Sequence, residues 1–375
     1  MKQEPARTDA WAPYEPDEVS SPGATLRETL EAIPLSQTEL ALRTGLSVKH
    51  VNQLVAGTAA LTHETAIKLE RATGVPASLW NALESAYRDW LSRDTELKAL
   101  AANTSWLKRM PIADLRRRGI VTVTAREPAR QLREVLTFFG VSSPSAWEEA
   151  WAQPTASFLQ SSAFTADAAA VAAWLRLGEL EAAKIDTAPY DKAALRRLIP
   201  ELRNLTVLQP EEFWPEIQKR CAQVGVAVVL IPSVKGAHAS GATRWLSPTK
   251  AVVQLSARHK RNDHFWFALF HELGHVLLHG KKEVFVEDKL GEGAGRQDEE
   301  REANTFASTT LIPASAARRL DEIETPADAV ALAAGFGIHP GIVAGRIQHD
   351  REQWTFGVSQ GLFTSLEIVE SPENS

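Results

Sequence analysis

Apolar side chains between residues 24 and 93 recur every three or four positions, which is the period of an amphipathic helix. The first predicted helix carries Leu26, Leu30 and Ile33 on one face. Later helices are predicted from Thr62 to Gly74, and from near Pro76 through Trp80, Leu83 and Tyr87. This part of the chain is therefore expected to be all-helical.

Two short helices within this segment are joined by a turn that contains glycine. Ser36 and Glu39 have the spacing of a capping box, in which each side chain accepts a hydrogen bond from the other residue's amide. The apolar residues of the helix that they open are Leu40, Ala41 and Leu42. That helix is expected to end at Gly45, and the next to span residues 48–55. The pair has the outline of a helix-turn-helix.

The pattern changes in the second half of the chain. After a helical connector over residues 94–205, β-branched and apolar runs predict strands at 225–231, 239–246 and 251–255. Helices are then predicted at 263–279, at 297–311, from Thr325-Pro326 to Gly335 or Gly337, and from Pro340 to Ile347. The fold class expected is α+β and mostly helical, with a small sheet in the C-terminal domain.

Charge and cysteine content narrow the chemistry. Lys and Arg number 41 against 47 Asp and Glu, a net charge of −6, which excludes a wholly basic nucleic-acid coat but allows one small DNA-reading domain. Cys221 is the single cysteine, so one chain holds neither a disulfide framework nor a Cys-rich zinc finger. Any metal must then be bound by His, Asp and Glu. Without an apolar run of spanning length or a secretory signal at the N-terminus, we expect a cytoplasmic protein.

The motif with the most specific chemistry is His271-Glu272-Leu273-Gly274-His275. On a helix, His271 and His275 lie about 40° apart, so both imidazoles leave the same face and can bind one tetrahedral Zn²⁺. Glu272 lies about 100° away, where a general base for a zinc-activated water belongs. It can take the proton of that water and pass it to a leaving amine.

A catalytic zinc site needs a third protein ligand and an open fourth position. His279 lies one further turn along the same helix, and an acidic helix downstream offers Glu299, Glu300 and Glu302. Glu300 shares a face with Asn304, so Glu300 as ligand would leave Asn304 to hydrogen-bond and orient a ligating imidazole. Spacing alone does not choose among the three glutamates.

The runs FWFALFHELGHVLLHGKKEVF and EREANTFASTTLIP resemble the ImmA/IrrE family of bacterial zinc peptidases. The resemblance implies a zincin-like fold over residues 206–357, with His271, His275 and Glu300 as zinc ligands and Glu272 as the catalytic base. Some members of this family cut a partner transcriptional repressor, while others use the domain as a regulatory or ligand-sensing module.

Residues 22–93 resemble an XRE-type helix-turn-helix of the HigA-like antitoxin branch, with Gly45, Val51, Leu54 and Gly57 as framework. This implies a lambda-repressor-like domain whose helix 47–55 enters the major groove of operator DNA. The residues expected to contact DNA are Gln37, Ser47, Lys49, His50, Asn52 and Gln53. Seven basic and seven acidic residues in 24–93 make the electrostatic attraction thin. Retention of the domain for dimerisation or partner docking is the alternative.

The remaining parts of the chain give weaker signals, and one of them has two interpretations. The basic stretch 108–133 is either a solvated helical face or a phosphate-contacting surface. His259, His264 and Tyr190 are candidates for an oxyanion stabiliser. Residues 1–21 are expected to form a flexible arm and 358–375 a tail.

Two functions follow from these interpretations. The first is a DNA-binding regulator, expected to be a homodimer, whose zinc endopeptidase domain cleaves a protein partner such as a repressor. The second is a HigA-like antitoxin or ligand-sensing repressor whose metal domain binds without turnover.

Overall fold

The computed structural model describes residues 19–152, 167–256, 260–280, 285–287 and 297–366. Most of the expected arm and half of the expected tail lie outside these residues, as does His259. The chain divides into two compact units, Met1–Thr104 and Ser105–Ser375. No helix among the described residues is long and apolar enough to cross a bilayer. The predicted fold class, mostly helical with a small sheet in the second unit, is confirmed.

The described residues of the first unit form five helices: α1 (Pro22–Ala32), α2 (Gln37–Thr44), α3 (Val48–Val55), α4 (His63–Thr73) and α5 (Ala77–Ala101). Ser21, Ser36, Ser47 and Thr62 each begin a helix, and each side-chain oxygen accepts the backbone N–H three residues on. The fully buried side chains of the core are Leu26, Leu40, Val51, Ala66, Leu69 and Trp80. Helix α5 runs through residue 93, the expected domain limit.

One local expectation in this unit is wrong, and two apolar side chains lie toward solvent. Only half of the capping box forms, because the Glu39 carboxylate pairs with Arg43 one turn later instead of returning to Ser36. Ile33 caps the end of α1 and is 40% exposed, since the helix stops before the apolar period reaches it. Leu42 is 83% exposed because Leu40 and Ala41 already fill the buried face of α2.

A 3-10 turn (Thr104–Arg109) spans the boundary between the units, and the second unit continues with short helices that surround an aromatic cluster. Its helices before the sheet are α6 (Ile112–Arg117), α7 (Pro128–Phe139), α8 (Pro144–Trp147), a π-turn (Glu148–Ala152), α9 (Ala168–Ala183), α10 (Lys192–Asn204), a 3-10 turn (Leu205–Val207) and α11 (Pro210–Ala222). Trp147 packs edge-on against Trp106 and Phe139. Part of the expected connector is thus an integral layer of the second unit, because α9 covers one face of the sheet.

The sheet has four strands in the order β1-β3-β2-β4: β1 (Val226–Leu230), β2 (Gly241–Ser247), β3 (Lys250–Leu255) and β4 (Phe285–Glu287). Strand β1 is parallel to β3, and the other pairs are antiparallel. The first three were predicted, whereas the three-residue β4 was not, because its sequence is too short to show a period. It pairs with Gly241–Thr243 of β2.

Alternate residues of β1 belong to different cores, which explains its continuous apolar run. Ala227 and Val229 pack with Trp174 of α9, whose indole N–H donates to the Ile231 carbonyl. Val226 and Val228 face the larger core, which also buries Cys221. The helices that contribute to it are α10, α11, α12 (Asn262–Leu278), α13 (Gln297–Leu311), α14 (Ala314–Ala317), α15 (Pro326–Phe336) and α16 (Pro340–Arg351).

Candidate metal centre and DNA-reading helix

Helix α12 presents His271 and His275 one turn apart on the same face, as the spacing predicts. Their Nε2 atoms lie 2.9 Å from each other. The side chains of both residues are 1% exposed, so water has little access to either ring. Two imidazole nitrogens therefore converge on one point inside the second unit.

Helix α13 brings one carboxylate, that of Glu300, to this point. Its oxygens lie 3.3 Å from His271 Nε2 and 3.5 Å from His275 Nε2, and one ligand atom from each residue lies within 4.8 Å of the others. Ligands 2.0–2.1 Å from a tetrahedral zinc are about 3.3 Å from each other. The three donors thus fit a tetrahedral ion such as Zn²⁺, and among the described residues they form the only such group.

A glycine allows the two helices to approach closely enough for this arrangement. A Cβ added at Gly274 would lie 3.1 Å from the Phe306 ring and 3.3 Å from Ala303 Cα. Such contacts are tight, so a larger residue at position 274 would move α13 outward and carry Glu300 with it. The glycine between the two motif histidines therefore has a packing role that the motif itself does not reveal.

The protonation states around the site suit metal binding, which requires neutral imidazoles and an ionised carboxylate. Burial lowers the pKa of His275 to about 4. Burial alone would raise the pKa of Glu300, but the neighbouring His271 and His275 rings outweigh it and lower that pKa to about 2. At neutral pH the set therefore offers a neutral His275 and a negatively charged Glu300.

Asn304 lies where the spacing of α13 predicts, beside His271. Its Oδ1 is 3.0 Å from His271 Nδ1. Because an amide oxygen only accepts, the proton of the neutral ring lies on Nδ1, and Nε2 keeps its lone pair. The contact thus orients His271 with its lone pair toward Glu300 and His275.

Glu272 is fully buried and lies against strand β2. The Thr243 hydroxyl lies 2.6 Å from its Oε2 and 3.0 Å from its backbone carbonyl. A Cβ at Gly241 would come within 2.4 Å of its Oε1 and 2.8 Å of its Cγ. Neither Gly241 nor Thr243 is predicted from the sequence as part of the site. A glycine inside a strand indicates a close approach by another group, so Gly241 carried a usable signal.

His279 does not join the three converging donors. It ends α12, and its Nδ1 lies 2.9 Å from His275 Nδ1. Its Nε2 lies 3.3 Å from Glu302 Oε2. His279 and Glu302, two of the alternatives for the third ligand, therefore contact each other. His279 also contacts His275, on the ring nitrogen that faces away from Glu300.

The structure gives two of the candidate oxyanion stabilisers other partners. The Tyr190 hydroxyl donates to the Val276 carbonyl at 3.1 Å, and burial raises the pKa of Tyr190 to about 12. His264 is half-exposed, with Nε2 4.0 Å from the carboxylate of Asp263. The structure therefore places neither one in the converging group of donors.

In the first unit, helix α3 exposes most of the polar residues expected to read DNA. Ser47, Lys49, Asn52 and Gln53 are exposed, while His50 and Gln37 are half-buried. The Ser47 oxygen also accepts the His50 N–H at 3.1 Å and so caps the helix. Val51 and Leu54 face the core at 0% and 3% exposure, which fixes the opposite face of α3 toward solvent.

The basic residues of this unit are largely paired within it. Within residues 24–93, all of which the structure describes, Arg43, Lys68, Arg88 and Arg93 each pair with an acid one turn before them. Such pairs neutralise much of the charge available to phosphates. Lys49 is exposed on α3 itself, so it is the cation best placed to meet DNA.

The basic stretch 108–133 also makes internal contacts. Arg109 pairs with Glu148, Arg117 with Asp114 and Arg130 with Glu127. Arg118 donates to the Pro232 carbonyl at 2.8 Å. These contacts favour the interpretation of this stretch as a solvated face over that of a phosphate-binding surface.

Two family models match the chain. Residues 26–80 match the helix-turn-helix model, and residues 221–348 match that of the IrrE N-terminal-like domain of peptidase family M78. The resemblances to an XRE-type helix-turn-helix and to the ImmA/IrrE family are thus confirmed over these residues. The chain carries a helix-turn-helix domain and a domain of a metallopeptidase-like family.

Among solved structures, similar chains include Pseudomonas aeruginosa antitoxin HigA with the higBA promoter, at 28% identity over 22% of this chain and 90% of that one, with a TM-score of 0.21. A second P. aeruginosa protein, solved with its operator DNA, is 26% identical over 22% and 91%, with a TM-score of 0.21. A HigA-family antidote protein from Coxiella burnetii is 24% identical over the same shares, with the same score. No curated protein matches the chain.

Proposed function

We propose that this protein is a DNA-binding transcriptional regulator whose second unit is a zinc-dependent endopeptidase that cleaves a protein partner such as a repressor. The observation that carries the enzymatic half is the convergence of His271, His275 and Glu300 beside a buried Glu272. The match of residues 221–348 to a peptidase family supports it.

The residues that would hold the metal are His271, His275 and Glu300, with Asn304 orienting the first. A bound zinc ion would supply Lewis acidity that activates water and polarises the scissile carbonyl. Glu272 would accept the proton of the attacking water and deliver it to the leaving amine. Thr243 would hold the Glu272 carboxylate in place, because its hydroxyl lies 2.6 Å from Oε2.

For the DNA-binding half, we propose that α3 enters the major groove, where Asn52 and Gln53 pair adenine edges and Lys49 contacts guanine or phosphate. Gln37, at the start of α2, would bind a backbone phosphate. A homodimer on a palindromic operator would supply the second half-site. Support comes from the exposure of these residues and from the helix-turn-helix match.

Burial favours a second function, metal binding without turnover. His271, Glu272 and His275 are 1%, 0% and 2% exposed, so a peptide reaches them only if neighbouring residues move. In that case the domain would sense or dock a ligand and change DNA binding, as a HigA-like antitoxin or a ligand-sensing repressor.

The deciding experiment combines metal analysis with Glu272→Gln as a substrate trap. We expect about one zinc per chain in both the wild type and the variant, and cleavage of a partner by the wild type alone. Recovery of that partner intact on Glu272→Gln, followed by its cleavage by added wild-type protein, identifies the substrate. Equal cleavage by Glu272→Gln or by chelated protein contradicts the enzymatic proposal. Stoichiometric metal with no cleavage of any bound partner supports the second function.

A further inference from the structure

A chain of hydrogen bonds runs from the surface to the back of one candidate metal ligand. Glu302 Oε2 lies 3.3 Å from His279 Nε2, and His279 Nδ1 lies 2.9 Å from His275 Nδ1. We propose that Glu302 and His279 are positioning residues that hold His275 in the tautomer able to bind metal. This inference rests on the metal site proposed above.

One arrangement of protons satisfies both contacts and leaves His275 able to bind metal. In it, His279 donates from Nε2 to the Glu302 carboxylate, which only accepts, and His279 Nδ1 accepts the proton of His275 Nδ1. The remaining nitrogen of His275, Nε2, keeps its lone pair. That atom is the one 3.5 Å from Glu300 and 2.9 Å from His271 Nε2.

The ring protons of His271 and His275 are thus both held on Nδ1, but by different partners. The amide oxygen of Asn304 holds the proton of His271 on Nδ1 directly, whereas His275 depends on an imidazole that is itself oriented by a carboxylate. Outer partners that orient a ligating imidazole raise its basicity, and their loss costs about 10–100-fold in metal affinity or activity. One helix, α13, supplies Glu300, Asn304 and Glu302.

Burial of His279 favours its contacts with His275 and Glu302 over contacts with water. The side chain of His279 is 5% exposed, so water does not readily replace Glu302 as its partner, whereas the Glu302 side chain is 63% exposed. A competing explanation is that His279 only terminates α12, since its backbone N–H bonds to the His275 carbonyl. In that case its side chain would affect folding but not metal affinity.

The test measures zinc affinity by chelator competition in four variants of the full chain. We expect His279→Leu to weaken binding by about 10–100-fold and Glu302→Ala by about 10-fold, in line with the loss of outer partners. His279→Asn should recover most of the affinity, because its amide oxygen occupies nearly the position of Nδ1 and accepts the same proton. Asp298→Ala removes another exposed charge from α13, one paired with Arg301, and should leave zinc affinity unchanged.

A second measurement reads the tautomer itself, with or without metal. In metal-free protein carrying 15N-labelled histidine, His275 should be protonated on Nδ1, and Glu302→Ala should give a mixture of tautomers. Wild-type affinity in both His279→Leu and Glu302→Ala overturns the relay, as does an unchanged tautomer in Glu302→Ala. If His279→Leu does not fold, the exposed Glu302 decides alone. A wild type that binds no zinc contradicts the metal site, while the tautomer measurement still tests the relay.

Discussion

The two candidate sites are built on opposite plans. The DNA-reading residues come from α3 and the start of α2, mostly exposed and close in sequence, and their packing partners belong to the first unit. Two of the metal donors lie four residues apart on α12, but the third, Glu300, lies 25 residues after His275 on α13, and their placement depends on a tight helix contact at Gly274.

This difference predicts how each site responds to substitution. An exposed side chain on a well-packed helix contributes its own contacts, so its loss should weaken DNA binding by a limited amount. A buried donor set acts as one unit, so loss of one member removes the function of all. The largest effects are therefore expected at the metal donors and the smallest on α3.

Removal of a metal donor is expected to have the largest effect. His275→Ala should reduce bound zinc from about one per chain to nearly none, because two donors bind far more weakly than three. DNA binding should be unchanged, since all the proposed DNA-reading residues lie in the first unit. Elemental analysis and a gel shift at fixed salt check both. The exposed His349→Ala is the matched control, and a loss of DNA binding in His275→Ala alone would show that the two sites are coupled.

The second prediction separates the base from the metal. Gly241→Ala would place a methyl group 2.4 Å from Glu272 Oε1 and force that carboxylate away from Thr243. Partner cleavage should fall by up to about 10²–10⁴-fold, the usual contribution of a general base. Zinc content should stay at the wild-type level. Gly335→Ala is the control, because nothing lies within 4 Å of its added methyl. Full cleavage by Gly241→Ala would refute the assigned position of Glu272.

The third prediction concerns the stability of chelated protein in acid. Burial lowers the pKa of His275 from 6.5 to about 4, so the unfolded chain takes up a proton that the folded chain refuses. The free energy of unfolding should therefore fall as pH drops from about 6.5 to about 4, by up to about 3 kcal/mol. Burial also lowers the pKa of His339, which therefore contributes to the same decline. Urea unfolding of His275→Gln, which keeps His339, shows how much of the decline comes from His275. An equally steep decline in that variant would contradict the assignment to His275.

The smallest effects are expected on α3. Asn52→Ala and Gln53→Ala should each cost about 1–3 kcal/mol of discrimination between operator and random DNA at fixed salt. Lys49→Ala should instead weaken binding to operator and to random DNA alike. It should also reduce the slope of log affinity against log salt concentration by about one. Gel shifts on the protein's own upstream DNA check these values. Unchanged specificity in both amide variants would favour the docking interpretation of this unit.

Much of the fold was predictable because it depends on short stretches of sequence. The caps at Ser36, Ser47 and Thr62, and the glycines that end α2 and α4, are local signals that the structure reproduces. Where they failed, a competing local contact or a very short segment was the cause. Glu39 pairs with Arg43 one turn later in α2, and the three residues of β4 are too few to show a period.

The sequence by itself determined that His271 and His275 share a face, because the helical period fixes angles within one helix. It left three glutamates of α13 open, and only a family resemblance selected Glu300. The tertiary structure decided which carboxylate reaches the imidazoles, that β2 holds Glu272 through Gly241 and Thr243, and that His279 lies behind His275. The reason is physical: the distance between two helices depends on all the side chains packed between them, and no local period encodes it.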